Sequence, residues 1–167
     1  SIAARAEKEG LSIKKILNTH GHGDHACGNK RLKDLTGAEL LVHEADHGLL
    51  TSPGSAQFIS SLGCQPTPQA DASFSHDDEI TVGEEVRIKV IHTPGHTAGS
   101  CCFLCGGNLF TGDTLFVGGV GRTDLPGGSW EQLLNSIKTR ILTLPGDTVI
   151  WPGHNYGSSQ SSTVDLE

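Results

Sequence analysis

Residues 19–25 read Thr-His-Gly-His-Gly-Asp-His, and the rest of the chain is best read outward from them. Four side chains able to bind a metal, His20, His22, Asp24 and His25, fall within six residues. Gly21 and Gly23 stand between them, so the backbone can fold tightly around a common centre. An apolar, strand-like run at 13–18 leads into the motif. A single His is most often a packed or surface residue. Donors at this density, directly after a strand, point to a metal.

Three further donors each stand just beyond a predicted strand. His96 lies in Thr-Pro-Gly-His-Thr-Ala-Gly-Ser at 93–100, Asp113 in Thr-Gly-Asp-Thr-Leu-Phe at 111–116, and His154 in Trp-Pro-Gly-His-Asn-Tyr-Gly at 151–157. Each follows a Gly, which permits the turn that aims a side chain inward. Five His and two Asp exceed the ligands of one tetrahedral zinc, which in catalytic sites takes only three from protein. They fit two metals sharing a carboxylate. Imidazole-rich ligation without thiolate suits zinc or iron, and also manganese.

Composition narrows the classes. The 167 residues suffice for one domain with its own core and are too few to suggest two. Apolar residues make up 35%, charged residues 19%, and 22 are Gly, which suits a loop-rich globular enzyme. No run approaches the roughly 20 apolar residues of a membrane-spanning helix, so no membrane partner is expected. The formal charge of −7 and the lack of a basic cluster beyond 30–33 argue against nucleic acid. Five Cys, an odd count with no secretory signal, suggest free thiols in a reducing cytoplasm. The Cys102–Cys105 spacing lies in an apolar run, where Cys acts as a small hydrophobe. No feature signals an oligomeric state.

Patterning predicts helices at 2–9, 26–35, 45–50 and 56–62, with a Pro/Gln/Ser/Asp-rich loop over 63–78. Short strands are predicted at 39–43, 79–82, 86–92, 100–104, 108–111 and 148–151. Gly106-Gly107 marks a hairpin turn, and Ser129-Trp-Glu-Gln132 is a capping box opening a helix to about 142. Mixed short strands and helices indicate an α/β layered domain.

The set His20-x-His22-x-Asp24-His25, His96, Asp113 and His154 resembles the metal signature of the metallo-β-lactamase superfamily. The run Gly-Asp-Thr-Leu-Phe-Val-Gly-Gly-Val-Gly-Arg-Thr-Asp-Leu-Pro-Gly at 112–127 is similar to its glyoxalase II-like branch. The resemblance implies a four-layer αβ/βα sandwich (α/β, α+β) with the site at the edge between two sheets. By position, His20, His22 and His96 would hold one metal, Asp24, His25 and His154 the other, with Asp113 bridging. The family fold opens with several strands before the motif, whereas one helix precedes it here. A single domain over 1–167, incomplete at both ends, is therefore expected.

The resemblance further implies a metal-dependent hydrolase acting on a thioester, with S-lactoylglutathione as the model substrate and a metal-activated water as nucleophile. Two divalent ions, zinc by preference, are expected; iron, manganese or a single iron are the alternatives. Asp24 would also orient the water and take its proton. Arg122 and Tyr156 match positions that touch glutathione in glyoxalase II. Persulfide dioxygenases are similar through Gly121-Arg-Thr-Asp124 and Leu144-Pro-Gly-Asp147, and would hold one iron on His20, His96 and Asp113. Another ester or lactone hydrolase of the superfamily is a third reading. His43, His47, His76 and His92 are assigned to packing or surface, with support of the nearby His96 loop as the alternative role for His92.

Overall fold

The computed structural model describes residues 1–167. Helix α1 (Ile2–Lys8) is capped by the Ser1 hydroxyl, and Gly10, at φ +69°, turns the chain out of it. Strand β1 (Lys15–Leu17) then runs into the His-rich segment, within which α2 (Gly23–Ala26) forms one helical turn. After a break at Cys27 and Gly28 the chain resumes as α3 (Asn29–Thr36) and ends at Gly37, φ +67°. The single helix expected over 26–35 is thus two, and the first begins inside the metal motif. Strand β2 (Glu39–His43) follows, then a 3₁₀ turn (Glu44–Asp46), α4 (His47–Leu50) and α5 (Pro53–Ser61).

The segment expected to be a loop over 63–78 contains β3 (Ala72–Phe74), parallel to β2. Three residues among Pro, Gln and Asp carry no alternation long enough to read. The strand is fixed instead by its partner and by Asp71, whose carboxylate accepts the Leu40 amide at 2.7 Å. Strands β1, β2 and β3 form a small, fully parallel sheet in that order, with β1 at its edge.

Strands β4 (Glu79–Val82), β5 (Val86–His92), β6 (Cys101–Cys105) and β7 (Asn108–Gly112) form an antiparallel meander. A short hairpin, β8 (Leu115–Phe116) and β9 (Gly119–Val120), stands off it. Helix α6 (Trp130–Ser136) opens at Ser129, whose hydroxyl accepts the Gln132 amide, as the capping box implies. It does not run on as an α-helix to 142: Ile137–Ile141 winds as a π-helix, with the Leu142 amide on the Ile137 carbonyl. That winding sets Ile137 and Ile141 together against the large sheet. Strand β10 (Val149–Pro152) pairs parallel with β7, and β11 (Ser162–Thr163) closes the six-stranded sheet β11-β10-β7-β6-β5-β4.

Three apolar clusters account for four layers. Ile16, Leu40 and Val42 of the small sheet pack on Ala26, Leu50 and Ile59 from the helices beside it. Leu41 and Phe74, on its other face, meet Ile80, Val90, Cys101 and Phe103 of the large sheet. The outer face of the large sheet, with Ile91, Cys102, Leu109 and Ile150, takes Leu133, Ile137 and Ile141. This is the expected α/β/β/α sandwich. Phe110 and Trp151, cross-strand neighbours in β7 and β10, remain exposed. No helix is long and apolar enough to cross a membrane.

Strand direction decides where the site can be. Strands β5, β7 and β10 all run the same way, because β6 reverses between the first two and β10 is parallel to β7. The loops that leave their carboxyl ends carry His96, Asp113 and His154, and the loop leaving β1 carries 18–25. One rim of the sandwich therefore gathers every predicted donor.

Candidate metal centre

Three overlapping groups can hold an ion: His20, His22 and His96; His20, His25 and Asp113; and Asp24, His25 and His154, with the ligand atoms of each group within 4.8 Å of one another. His22 Nδ1 lies 2.9 Å from His96 Nε2, and His25 Nε2 lies 3.1 Å from His154 Nε2. Asp113 reaches both sides: Oδ1 is 3.2 Å from His25 Nε2, while Oδ2 is 3.3 Å from His154 Nε2 and 3.7 Å from His96 Nε2. Asp24 Oδ2 approaches His154 at 3.4 Å and His25 at 3.6 Å from the solvent side. All seven donors chosen from the sequence meet at one place.

The surroundings fix which nitrogen faces the centre. His96 Nδ1 donates to the Arg122 carbonyl at 2.7 Å, leaving the Nε2 lone pair inward. His20 Nδ1 sits 3.1 Å from the Thr19 hydroxyl, and its Nε2 is buried with no hydrogen-bond partner. Asp113 Oδ1 is likewise buried without a hydrogen bond, its contact with His25 being out of line for one. Orphaned buried acceptors that face each other are costly in a finished core. Cations between them would satisfy both, so the donor set fits divalent metal.

Electrostatics agree. Burial, reinforced by the facing imidazoles of His25, His96, His22 and His154, holds His20 well below the ordinary imidazole pKa. Burial and His96 lower His22 as well. Burial also lowers His25, but Asp113 and Asp24 more than offset it and the net displacement is upward. Burial pushes Asp113 up, and the imidazoles of His25, His154 and His96 more than reverse that. The neutral imidazoles favoured at His20 and His22, and the ionised carboxylate favoured at Asp113, are the states a metal requires.

These displacements give the metal-free protein a definite pH response. His20, His22, His43 and His92 are all lowered, chiefly by burial. A lowered native pKa makes the unfolded chain the better proton binder below its own value of about 6.5, so stability is lost as pH falls through that value. His25, raised, contributes in the opposite sense, with stability lost as pH rises through its native pKa. With four groups against one, the melting temperature of metal-free protein should fall between pH 7 and pH 5, and H20N should flatten the slope. Calorimetry across that range checks it; a melting temperature that rises on acidification contradicts it.

Other residues take places the sequence did not disclose. Asn18, buried, donates to the His25 carbonyl at 3.1 Å and accepts from Asn29 at 2.7 Å, so a two-amide relay holds α2. Asp46, also buried, bonds the loops of both His20–His22 and His96. A lone Asp in a short turn carries no sequence signal; the tight Gly positions at 21 and 99 that face it were the available clue. His92 Nε2 meets the Ala98 carbonyl at 2.8 Å and the ring stacks on His43 at 4.0 Å, which places it against the His96 loop. Arg122 forms a two-point exposed pair with Asp124, both contacts at 2.7 Å, which holds the Asp124 carboxyl down at about 2. Tyr156, exposed, stacks on the His154 ring at 5.0 Å and 10° and meets Phe116 edge-on. A groove of about 720 Å³ lies beside the centre: only His25 of the donors lines it, with Ile16, Leu17, Leu32 and Leu35.

Comparison with known proteins follows the same lines. The family model of the metallo-beta-lactamase superfamily matches residues 1–154. An uncharacterized protein of Aquifex aeolicus is 39% identical over 90% of this chain and 74% of its own length. The hydroxyacylglutathione hydrolase GloC of Haemophilus influenzae is 38% identical over 90% of this chain and 72% of its own. Among solved structures, the BLEG-1 B3 metallo-beta-lactamase superposes with TM-score 0.87 at 30% identity, covering 99% of this chain and 78% of that one. TTHA1623 in a di-iron-bound form gives 0.85 at 30%, covering 99% and 79%. ETHE1 from Myxococcus xanthus gives 0.77 at 29%, covering 97% of this chain and 63% of that one. With its signature donors gathered at one rim of a four-layer sandwich, this chain belongs to the metallo-β-lactamase superfamily.

Proposed function

We propose that the chain is a metal-dependent thioester hydrolase of the hydroxyacylglutathione class, holding two divalent ions, zinc by preference. The observation that carries this reading is the convergence of three overlapping donor groups, the middle one holding Asp113, with His20 Nε2 and Asp113 Oδ1 left unsatisfied by protein. His20, His22 and His96 would hold one ion, and Asp24, His25 and His154 the other, with Asp113 between. Similarity to GloC over 90% of the chain supports the substrate class. Bound there, the ions would supply a Lewis acid for the carbonyl and would lower the pKa of a bound water from about 15.7 towards neutrality.

The side chains do the rest. Asp24, with its carboxylate 40% exposed at the rim, orients the attacking water and passes its proton to solvent. Tyr156 keeps the His154 ring in place by stacking and presents its phenol outward to the substrate. Arg122 offers a cation to the glutathione portion, but must first exchange its two bonds to Asp124. None of the five free Cys is needed as a nucleophile.

Zinc-loaded protein is expected to release thiol from S-lactoylglutathione. D24N should lower kcat by about 10²- to 10⁴-fold, the usual range for a positioned proton acceptor, with little change in KM. The rival reading, a one-iron persulfide dioxygenase, draws on the Gly121–Asp124 run, and the di-iron neighbour shows that an iron-bound form occurs on this fold. Oxygen uptake on glutathione persulfide by iron-loaded protein, with no thiol released from thioesters by the zinc form, would overturn the hydrolase in its favour.

A further inference from the structure

Asp46 ends the 3₁₀ turn after β2 and is 1% exposed, yet its three hydrogen-bond partners are all neutral. Its Oδ2 accepts the Gly21 amide at 2.8 Å and the Thr97 hydroxyl at 2.7 Å, and its Oδ1 accepts the Gly99 amide at 2.7 Å. Gly21 stands between His20 and His22. Thr97 and Gly99 stand immediately after His96. One carboxylate therefore spans two loops separated by more than seventy residues, as the His22–His96 separation of 74 shows.

The approach is as close as backbone allows. A Cβ at Gly99 would lie 2.6 Å from Asp46 Cγ, and one at Gly21 would lie 3.1 Å from the Asp46 carbonyl and 2.9 Å from the Leu50 amide. Thr97 is itself locked: its amide donates to Ser100 Oγ at 2.9 Å, and its hydroxyl, whose proton goes to Asp46, accepts from the Ser100 hydroxyl at 2.8 Å. Where these loops meet, His22 Nδ1 and His96 Nε2 stand 2.9 Å apart. The second donor group, Asp24, His25 and His154, has no bond to Asp46.

We propose that Asp46 is a positioning residue: its carboxylate ties the His20–His22 turn to the His96 loop and so builds the three-imidazole half of the centre before any cation arrives. This rests on the metal reading given above. An Asn at this position has the same shape but one acceptor oxygen. Whichever way its amide points, its NH₂ faces an N–H: at Gly21, which frees the His20–His22 turn, or at Gly99, which leaves the His96 loop held by Thr97 alone. Partners behind a ligand shell of this kind change metal affinity by about 10- to 100-fold when removed.

Metal-free wild type, D46N and T97V should be titrated with Zn²⁺ against a chelating competitor, and amide exchange at Gly21 and Gly99 followed in the metal-free proteins. D46N should weaken one equivalent by about 10- to 100-fold while the other stays as in wild type, and should speed exchange at Gly21 or Gly99. T97V, which removes one of the three bonds and keeps the carboxylate, should weaken the same equivalent by less. Wild-type affinity in both variants overturns the proposal. So does equal loss at both equivalents that tracks a lower metal-free melting temperature, since that is a general structural role. If D46N does not fold, T97V decides alone by the same criteria. Unmodified protein that takes up no Zn²⁺ removes the metal reading and this proposal together, and is seen before any variant is made.

Discussion

Asp113→Ala should abolish metal uptake and lower kcat/KM on the best thioester by about 10³-fold or more, beyond the usual loss of one charge-stabilising group. The reason is its place between the two halves. Its oxygens lie 3.2 to 3.7 Å from His25, His154 and His96, so a single substitution takes a ligand from both donor groups. It also removes the negative charge that keeps five imidazoles compatible. Without it, His25 loses the larger of the two influences that raise its pKa, keeping only Asp24, and the buried rings face one another with less compensation. The variant should still fold, because Asp113 belongs to none of the three apolar clusters. Metal content and thiol release from one preparation check this; full retention of either contradicts the bridging role.

Gly121→Ala is the second large effect, and its cause is steric. A Cβ there would overlap the Asp113 carbonyl oxygen and lie 3.2 Å from His96 Nδ1, the atom that bonds the Arg122 carbonyl. The added methyl meets backbone on one side and a ligand ring on the other, so neither can yield without moving the centre. A destabilisation on the order of 3 kcal/mol is expected, the upper part of the range for overpacking, together with loss of metal. Gly119, two residues earlier in β9, is the control. It has open space around its Cβ position and no positive φ, so G119A should stay within about 0.5 kcal/mol of wild type. Denaturant midpoints for the pair measure the contrast, and equal midpoints would remove the packing argument.

The legible and illegible parts of this chain divide along the range of the interactions. His20, His22, Asp24 and His25 announce themselves because their chemistry is written into one short run. His96, Asp113 and His154 follow because each is preceded by a Gly and a strand. Strands β4 and β5 alternate over four and seven residues, and β6 is a short continuous apolar run, so all three could be read locally. Strand β3 could not, since Ala72–Phe74 is a strand only through pairing with β2 thirty residues away. The π-helical winding of Ile137–Ile141 depends on the sheet beneath it, and Asp46 acquires meaning only where two remote loops meet. What Arg122 does was also hidden, because its pairing with Asp124 needs the turn that brings them together.

The most direct test of a dinuclear centre is a count of metal. Metal-free protein titrated with Zn²⁺ in a calorimeter, with bound metal confirmed by elemental analysis, should take up two equivalents per chain, and H20N and H154N should each lower that number. A single equivalent that survives H154N, or no uptake at all, would contradict the two-metal centre on which the hydrolase reading stands.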